Sequence, residues 1–145
     1  MNSTADSNPP TESARVVEEL FAALSDLDVD RALEHLAPDI VWQNTGLPTL
    51  RGQRSVFRAL RFANRPGVRF DAVMHHVVGN GDTVLVDRTD TLHVGPVRST
   101  FWVCGTFELR DGRIAVWRDR FSWGNVAVGT ITATTRALWR RVRPD

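Results

Sequence analysis

Residues 83–123 read TVLVDRTDTLHVGPVRSTFWVCGTFELRDGRIAVWRDRFSW, and they form the most regularly patterned part of the 145-residue sequence. Apolar and polar residues alternate along this segment, and a period of two predicts β-strands. Gly95-Pro96 and Asp111-Gly112 interrupt the alternation as turns, so consecutive strands are expected to run antiparallel. Extending the pattern backwards gives four predicted strands: 68–78, 83–94, 97–109 and 113–123.

The first half of the chain instead repeats apolar residues at helical spacing. We expect a helix of about 15 residues from Thr11, a second short helix that Pro38 ends, and a third over residues 53–63. A short strand over residues 39–44 is expected between the second and third helices. Helices followed by a meander indicate the α+β class, and three helices against one curved sheet would enclose a cone-shaped cavity.

The whole sequence fits a single domain, expected over residues 11–145 after a disordered tail at residues 1–10. Its 18 basic residues nearly balance 17 acidic ones, which argues against nucleic acid as a partner. Every basic residue is arginine and tyrosine is absent, so lysine and tyrosine chemistry is excluded. Cys104 is the sole cysteine, which excludes an internal disulfide and suits a cytoplasmic location. No apolar run approaches the roughly 20 residues that a membrane span needs.

Charged residues interrupt the apolar faces of two predicted strands. Arg88 and Asp90 share the face of their strand that is otherwise apolar, and Asp119 stands among aromatic residues on the last strand. A sheet face that helices cover should be apolar, so charges there must be paired or must serve a site. The polar members of the expected pocket are Asn44, His76, Arg88, Asp90 and Asp119.

Two carboxylates around one guanidinium form a coupled set of charges. One carboxyl group can stay ionised while the other holds a proton, and such a pair can act as base and acid near neutral pH. A purely structural Arg–Asp bridge inside the sheet is the alternative interpretation. His75 and His76 are adjacent on a strand and face opposite ways, so they cannot share a metal ion, and no metal site is predicted.

Three runs in the second half of the chain resemble the limonene-1,2-epoxide hydrolase family: DRTDTL at 87–92, FWVCGTF at 101–107 and DGRIAVWRDRF at 111–121. The run WQN at 42–44 stands where that family has an aromatic-x-Asn motif. The resemblance covers about residues 11–123. It implies the nuclear-transport-factor-like, or SnoaL-like, α+β cone, in which a curved mixed β-sheet and N-terminal helices enclose an apolar pocket.

The resemblance also implies an activity, namely hydrolysis of an apolar epoxide to a vicinal diol without metal, cofactor or covalent intermediate. In that interpretation Asp119 is the base that activates water, and Asp90 is the acid that protonates the epoxide oxygen. Arg88 bridges the two carboxylates, and Asn44 helps to hold the water. Trp42 replaces the family's tyrosine, and an indole N–H only donates a hydrogen bond. The wall of the pocket is expected to contain Met74, His76, Leu92, Phe101, Val103 and Phe121.

Other activities and partners stay open at the level of the sequence. A hydroxyl group of the substrate could open the epoxide, as in cyclases of similar fold, or the acids could transfer a proton, as in ketosteroid isomerases and polyketide cyclases. A non-catalytic binding module is the third alternative. Trp102, Ile114 and Val116 would form an apolar patch on the outer face of the sheet, which predicts a homodimer.

Overall fold

The structure, a computed structural model, describes residues 10–124 and residue 126. The tail expected at residues 1–10 therefore lies, apart from Pro10, outside the described residues. None of the helices in the described part is long and apolar enough to cross a membrane. The elements follow one another in the order α1 (Glu12–Ser25), α2 (Val29–Glu34), β1 (Leu36–Asn44), β2 (Leu50–Arg51), α3 (Gln53–Ala63), β3 (Val68–Asn80), β4 (Thr83–Val94), β5 (Val97–Arg110) and β6 (Arg113–Arg120).

Side chains cap the N-termini of the first two helices, and a Schellman motif ends α1 directly before α2. The hydroxyl of Thr11 accepts a hydrogen bond from the N–H of Ala14, which starts α1, and Asp28 caps α2 in the same way. Between them Leu27 has a left-handed φ of 58°. The N–H of Asp28 donates to the C=O of Ala23, the hydrogen bond of a Schellman motif. The face of α1 that the sheet buries consists of Ala14, Val17, Leu20, Phe21 and Ala23.

The six strands form one mixed sheet in the order β2-β1-β6-β5-β4-β3. β1 pairs in parallel with β6, and the other neighbouring strands are antiparallel. α1 and α3 pack against one face of this curved sheet, and the apolar core lies between these helices and the sheet. The structure thus confirms the α+β fold with a curved mixed sheet and N-terminal helices. The fully buried core residues include Val17, Leu20, Ile40, Val56, Val84, Phe107 and Ile114.

The start of β1 differs from the prediction. We expected Pro38 to end the second helix, but α2 already ends at Glu34 and Pro38 lies inside β1. The pairing of β1 with β6 shifts between Leu36 and Val41, and this irregularity tolerates a residue with no N–H to donate. β2, with two residues, is too short to give a periodic signal in the sequence.

A β-bulge in β3 reverses the expected alternation of that strand. The register against β4 shifts between Met74 and His76, so one extra residue is inserted at this point. Beyond the bulge Val77 packs against the core, whereas Val78 is 60% exposed. The prediction that His76 lies on the inner face was therefore wrong.

A second bulge removes one of the residues that we expected in the apolar patch on the outer face. It lies in β6, where Ala115 is the extra residue: Val116 pairs with Glu108 of β5, whereas Ile114 pairs with the next residue of β5, Leu109. Ile114 is consequently buried in the core and not on the outer face, where the unbroken alternation had placed it. Trp102 does lie on the outer face, with 52% of its surface exposed.

Candidate active site

Arg88 and Asp90 lie on the inner face of β4, as the alternation of that strand predicts. Both residues are buried, with 1% and 4% of their surface exposed. The Nε of Arg88 donates to Oδ1 of Asp90 at 2.8 Å, and its Nη2 donates to Oδ2 at 3.0 Å. This two-pronged contact fixes the carboxylate in the plane of the guanidinium, the geometry of strong charge-assisted pairs.

The same guanidinium also binds Asp119, which projects from the inner face of β6. Nη1 of Arg88 donates to Oδ1 of Asp119 and Nη2 donates to Oδ2, both at 2.9 Å. Asp119 is buried as well. We call Asp90, Arg88 and Asp119 the Asp–Arg–Asp triad. Its formal charge is −1 with both carboxylates ionised and zero when one of them holds a proton.

Burial raises the pKa of the Asp90 carboxyl. The hydrogen bonds and the charge of Arg88 lower this pKa and the charge of Asp119 raises it, but the net shift is upward. Burial by itself would lower the pKa of Arg88, yet the charge of Asp119 and the hydrogen bonds to both carboxylates raise it above its ordinary value. Arg88 therefore stays positively charged, and Asp90 is suited to hold a proton.

Phe21 of α1 covers the guanidinium from the helix side. The central carbon of the Arg88 guanidinium lies 4.7 Å from the centre of the Phe21 ring, a cation–π contact. The ring itself is fixed by edge contacts with Phe107 and Trp117. The sequence showed Phe21 only as one apolar residue of an amphipathic helix, so its contact with the triad was not predicted.

Asn44 and Trp42 lie on β1, next to the strand that carries Asp119 of the triad. The register places Asn44 opposite Asp119 and Trp42 opposite Trp117 of β6. The two tryptophan rings stack with centroids 4.5 Å apart and planes inclined by 20°. In the described part of the chain, the buried Nε1 of each tryptophan makes no hydrogen bond. Stacking therefore holds Trp42, and its N–H bonds to neither Asn44 nor Asp119.

An apolar cavity of about 200 Å³ reaches the triad. All three triad residues line it, together with Trp42 and Asn44. Four of the predicted wall residues line it as well: Leu92, Phe101, Val103 and Phe121.

Two predicted wall residues do not line the cavity. His76 is exposed on the outer face, where its Nδ1 lies 3.0 Å from Oδ2 of Asp87. Met74 is half-buried and packs against the core. The bulge between them explains the error for His76, because it moves this residue to the other side of the sheet.

Much of the cavity wall comes from residues that were not named individually as wall residues. The ends of α1 and α3 and the segment between α1 and α2 close one side, and Trp117 and Phe70 of the sheet close another. The helices were expected to help enclose the pocket, and the alternation of the strands places Trp117 and Phe70 on inner faces. The additional lining residues are Leu24, Leu27, Val29, Leu60, Ala63, Asn64, Phe70 and Trp117.

This arrangement is suited to acid–base chemistry on an apolar molecule. A carboxyl group whose pKa is raised and a second carboxyl group lie on either side of one fixed cation. Apolar walls exclude bulk water, which strengthens every charge interaction inside the cavity. A helix-covered α+β cone with buried acids at the end of an apolar cavity defines a class of small-molecule enzyme.

Comparison with known proteins places the chain within that class. The family model described as the limonene-1,2-epoxide hydrolase catalytic domain matches residues 11–136. The chain therefore belongs to the limonene-1,2-epoxide hydrolase family and is an enzyme of the epoxide hydrolase type.

Individual relatives agree with this assignment. The chain is 42% identical to the epoxide hydrolase EphG of Mycobacterium tuberculosis over 105 residues, 72% of this chain and 70% of the relative. A solved M. tuberculosis epoxide hydrolase of the same type superposes with a TM-score of 0.84 at 36% identity, over 92% of this chain and 99% of that one. An NTF2-like protein of unknown function from Burkholderia pseudomallei shares the fold, with a TM-score of 0.73 at 18% identity over 83% of this chain and 98% of that one.

Proposed function

We propose that this enzyme adds water directly to an apolar epoxide and releases a vicinal diol, without a cofactor or a covalent intermediate. The observation that carries the proposal is one guanidinium that holds two buried carboxylates at the end of an apolar cavity. Ring strain already activates an epoxide, so the enzyme needs only a placed nucleophile and a proton donor.

Asp119 acts as the base in this proposal. Water is held between Asp119 and Asn44, which the parallel pairing of β1 and β6 sets side by side. The carboxylate takes one proton from the water as the water oxygen forms a bond to an epoxide carbon. Arg88 keeps the base in place through two hydrogen bonds.

Asp90 acts as the acid on the opposite side of Arg88. The carbon–oxygen bond of the epoxide breaks, its electron pair moves to the ring oxygen, and this oxygen takes the proton of Asp90. Burial supports this role because it raises the pKa of the Asp90 carboxyl and so favours the protonated form. The cycle closes when the proton on Asp119 returns to Asp90.

Trp42 changes how the water is held. An indole cannot accept a hydrogen bond, and here its ring is stacked on Trp117. The water therefore relies on Asn44 and Asp119 as acceptors. A weakened water site is also what a cyclase would need, in which a substrate hydroxyl attacks in place of water, so the two reactions must be separated by experiment.

The experiment is turnover of a panel of epoxides, from limonene oxide to styrene oxide and fatty-acid epoxides, in ¹⁸O-labelled water. We expect a diol that carries one ¹⁸O atom. Asp119→Asn and Asp90→Asn should each lower kcat by about 10² or more, because each removes one proton-transfer partner. Asp87→Asn, which changes an exposed carboxylate of the same strand, is the matched control and should keep the activity.

Other outcomes would decide for the alternatives. An unlabelled cyclic ether formed from a hydroxy-epoxide identifies an epoxide-opening cyclase. Binding of epoxides without turnover by the wild type or either variant identifies a binding module. Full activity in Asp119→Asn would remove this residue from the mechanism.

We further propose that the outer face of the sheet pairs two copies of the chain. Four large apolar side chains on this face are half-exposed or more, and they form two rows across β3, β4 and β5. Exposed apolar groups concentrated on one sheet face are typical of an interface. They are Val73, Val78, Leu85 and Trp102. A cytoplasmic location stays a sequence-based prediction.

A further inference from the structure

The side chain of Arg88 crosses a whole strand to reach Asp119. Arg88 is on β4 and Asp119 is on β6, with β5 between them. Neighbouring strands are about 4.8 Å apart, so the two outer strands are separated by about 10 Å. The guanidinium must therefore pass over the inner surface of β5 before its Nη1 can come within 2.9 Å of Asp119.

Gly105 occupies the point of β5 where the guanidinium passes. Its register partners are Val86 on one side and Asp119 on the other. A Cβ added at Gly105 would lie 2.8 Å from Nη1 of Arg88 and 3.1 Å from Oδ1 of Asp119. It would also lie 2.9 Å from Cε2 of Phe107. Real Cβ atoms are essentially never found within 3.0 Å of a heavy atom from another part of the chain, so any side chain at this position must displace its neighbours.

The backbone conformation does not explain a glycine here. Gly95 and Gly112 have the left-handed φ of their turns, whereas Gly105 lies in ordinary extended backbone within β5. Glycine weakens the interior of a strand, and it commonly marks a place where another group approaches closely. The close approach of other groups is therefore the reason for a glycine at this position, and these groups are the Arg88 guanidinium, the Asp119 carboxylate and the ring of Phe107.

We propose that Gly105 is a positioning residue: its lack of a side chain lets Arg88 lie flat across β5 and bridge the acid and the base. Phe21 covers the opposite side of the guanidinium, so the cation occupies a slot between the ring and the backbone of Gly105. The proposal rests on the roles given above to Asp90 and Asp119. It adds the residue that sets their separation.

A methyl group at Gly105 acts mainly on the side of the base. Arg88 is almost fully buried beneath Phe21, so it cannot swing into solvent. The added carbon pushes Nη1 away from Asp119, whereas Nε lies nearer the Arg88 backbone and can keep its contact with Asp90. The expected defect is a base that has lost part of its hydrogen bonding and part of the nearby positive charge.

The test is Gly105→Ala in the full chain, assayed with an epoxide that the wild-type enzyme hydrolyses. We expect kcat to fall by about 10², the size of effect that a misplacement of about 1 Å produces, while KM changes little. Gly124→Ala is the matched control, since the one described neighbour of a Cβ there is Ser122, at an ordinary 3.6 Å.

A second pair of variants separates the triad from packing against Phe107. Phe107→Leu removes the aromatic carbon from the neighbourhood of Gly105 and is compared with Gly105→Ala/Phe107→Leu. The double variant should fold even if Gly105→Ala alone does not, yet keep the low kcat and the nearly unchanged KM. Activity equal to that of Phe107→Leu alone would show that Gly105 serves only the packing of that ring, and would overturn the proposal.

Thermal unfolding tests the same idea without any substrate. Gly105→Ala should lower Tm less in the Asp119→Asn background, where Arg88 is held more weakly and can move aside. Equal decreases in Tm in both backgrounds would contradict a role through the Arg88–Asp119 contact. If the wild type opens no epoxide, the proposed function fails, but this cycle of variants still decides the role of Gly105.

Discussion

A raised pKa makes a carboxyl group better suited to donate a proton, and the pKa of the buried Asp90 carboxyl is raised. Its burial outweighs the contacts with Arg88 and raises its pKa. Asp87 is only three residues away on the same strand, yet hydrogen bonds from Trp102 and His76 lower its pKa on the exposed face. The environments on the two sides of one strand thus shift the pKa of the same type of side chain in opposite directions.

The raised pKa of Asp90 predicts how the stability of the fold depends on pH. Because the folded-state pKa lies above the unfolded value, Asp90 stabilises the fold at low pH, and this contribution is lost as pH rises through the folded-state pKa. Asp90→Asn cannot ionise, so its free energy of unfolding should fall less than that of the wild type as pH rises. Urea unfolding between about pH 4 and pH 8 measures the difference.

Asp87→Asn provides the control of opposite sign. The lowered pKa of Asp87 means that its stabilisation is present at higher pH and is lost as pH falls through the folded-state value. Parallel pH curves for the wild type and Asp90→Asn would contradict the upward shift at Asp90.

Single residues of the site were predictable where strand alternation was unbroken. Arg88 and Asp90 on β4 and Asp119 on β6 are conspicuous because charge on a helix-covered face is costly, and all three line the cavity. Gly105 and Phe21 carry no charge, so nothing in the sequence marked them as neighbours of the triad. Their importance depends on distances across β5 that only the folded sheet defines.

At the scale of elements, the residue that follows the C-cap of α1, Leu27, has a strained backbone and also lines the cavity. Leu27 occupies the left-handed position where Schellman motifs usually have glycine. Its side chain nevertheless lines the cavity, and its C=O accepts a hydrogen bond from Nδ2 of Asn64 at the end of α3. A strained residue that borders a cavity suggests that the side chain is kept for its contact with the substrate.

Leu27→Gly and Leu27→Ala separate these two effects. Both remove the apolar wall and should raise KM for a small apolar epoxide by about tenfold, the effect of losing one or two methylene contacts. Leu27→Gly also relieves the left-handed strain, so it should be more stable than Leu27→Ala by about 1 kcal/mol in urea unfolding. Unchanged KM values in both variants would show that Leu27 serves only the cap.

The existence of most elements follows from sequence periodicity, but their irregularities do not. The order of helices and strands is as predicted, apart from the two-residue β2. The bulges in β3 and β6 insert single residues without any glycine or proline to mark them, and each one reverses the alternation beyond it. Both His76 and Ile114 were misassigned for this reason.

At the scale of the whole molecule, the outer face of the sheet predicts the oligomeric state. Leu85 lies in the middle of this face and is about half-exposed. Leu85→Arg places a charge in the proposed interface, so it should convert a dimer to a monomer in size-exclusion chromatography with light scattering. Leu47→Arg, at an equally exposed leucine in the turn after β1, should leave the mass unchanged. A wild type that elutes as a monomer at high concentration would contradict the proposal.

The overall architecture was more predictable than the cavity. The change from helical to strand periodicity indicated the α+β class, and the resemblance supplied the mixed sheet with its curved cone. The closing side of the cavity was not predictable, because Leu27, Ala63 and Asn64 come from separate helix ends whose meeting depends on how α1 and α3 pack.

The parallel pairing of β1 with β6 also bears on the order in which the site is assembled during folding. β4, β5 and β6 follow one another through short turns, so their contacts close small loops and can form early. Asn44 meets Asp119 only when segments about 75 residues apart along the chain come together. A partly folded chain can therefore hold Arg88 between its two carboxylates before Asn44 lies beside Asp119, so the water site that we propose would be completed last.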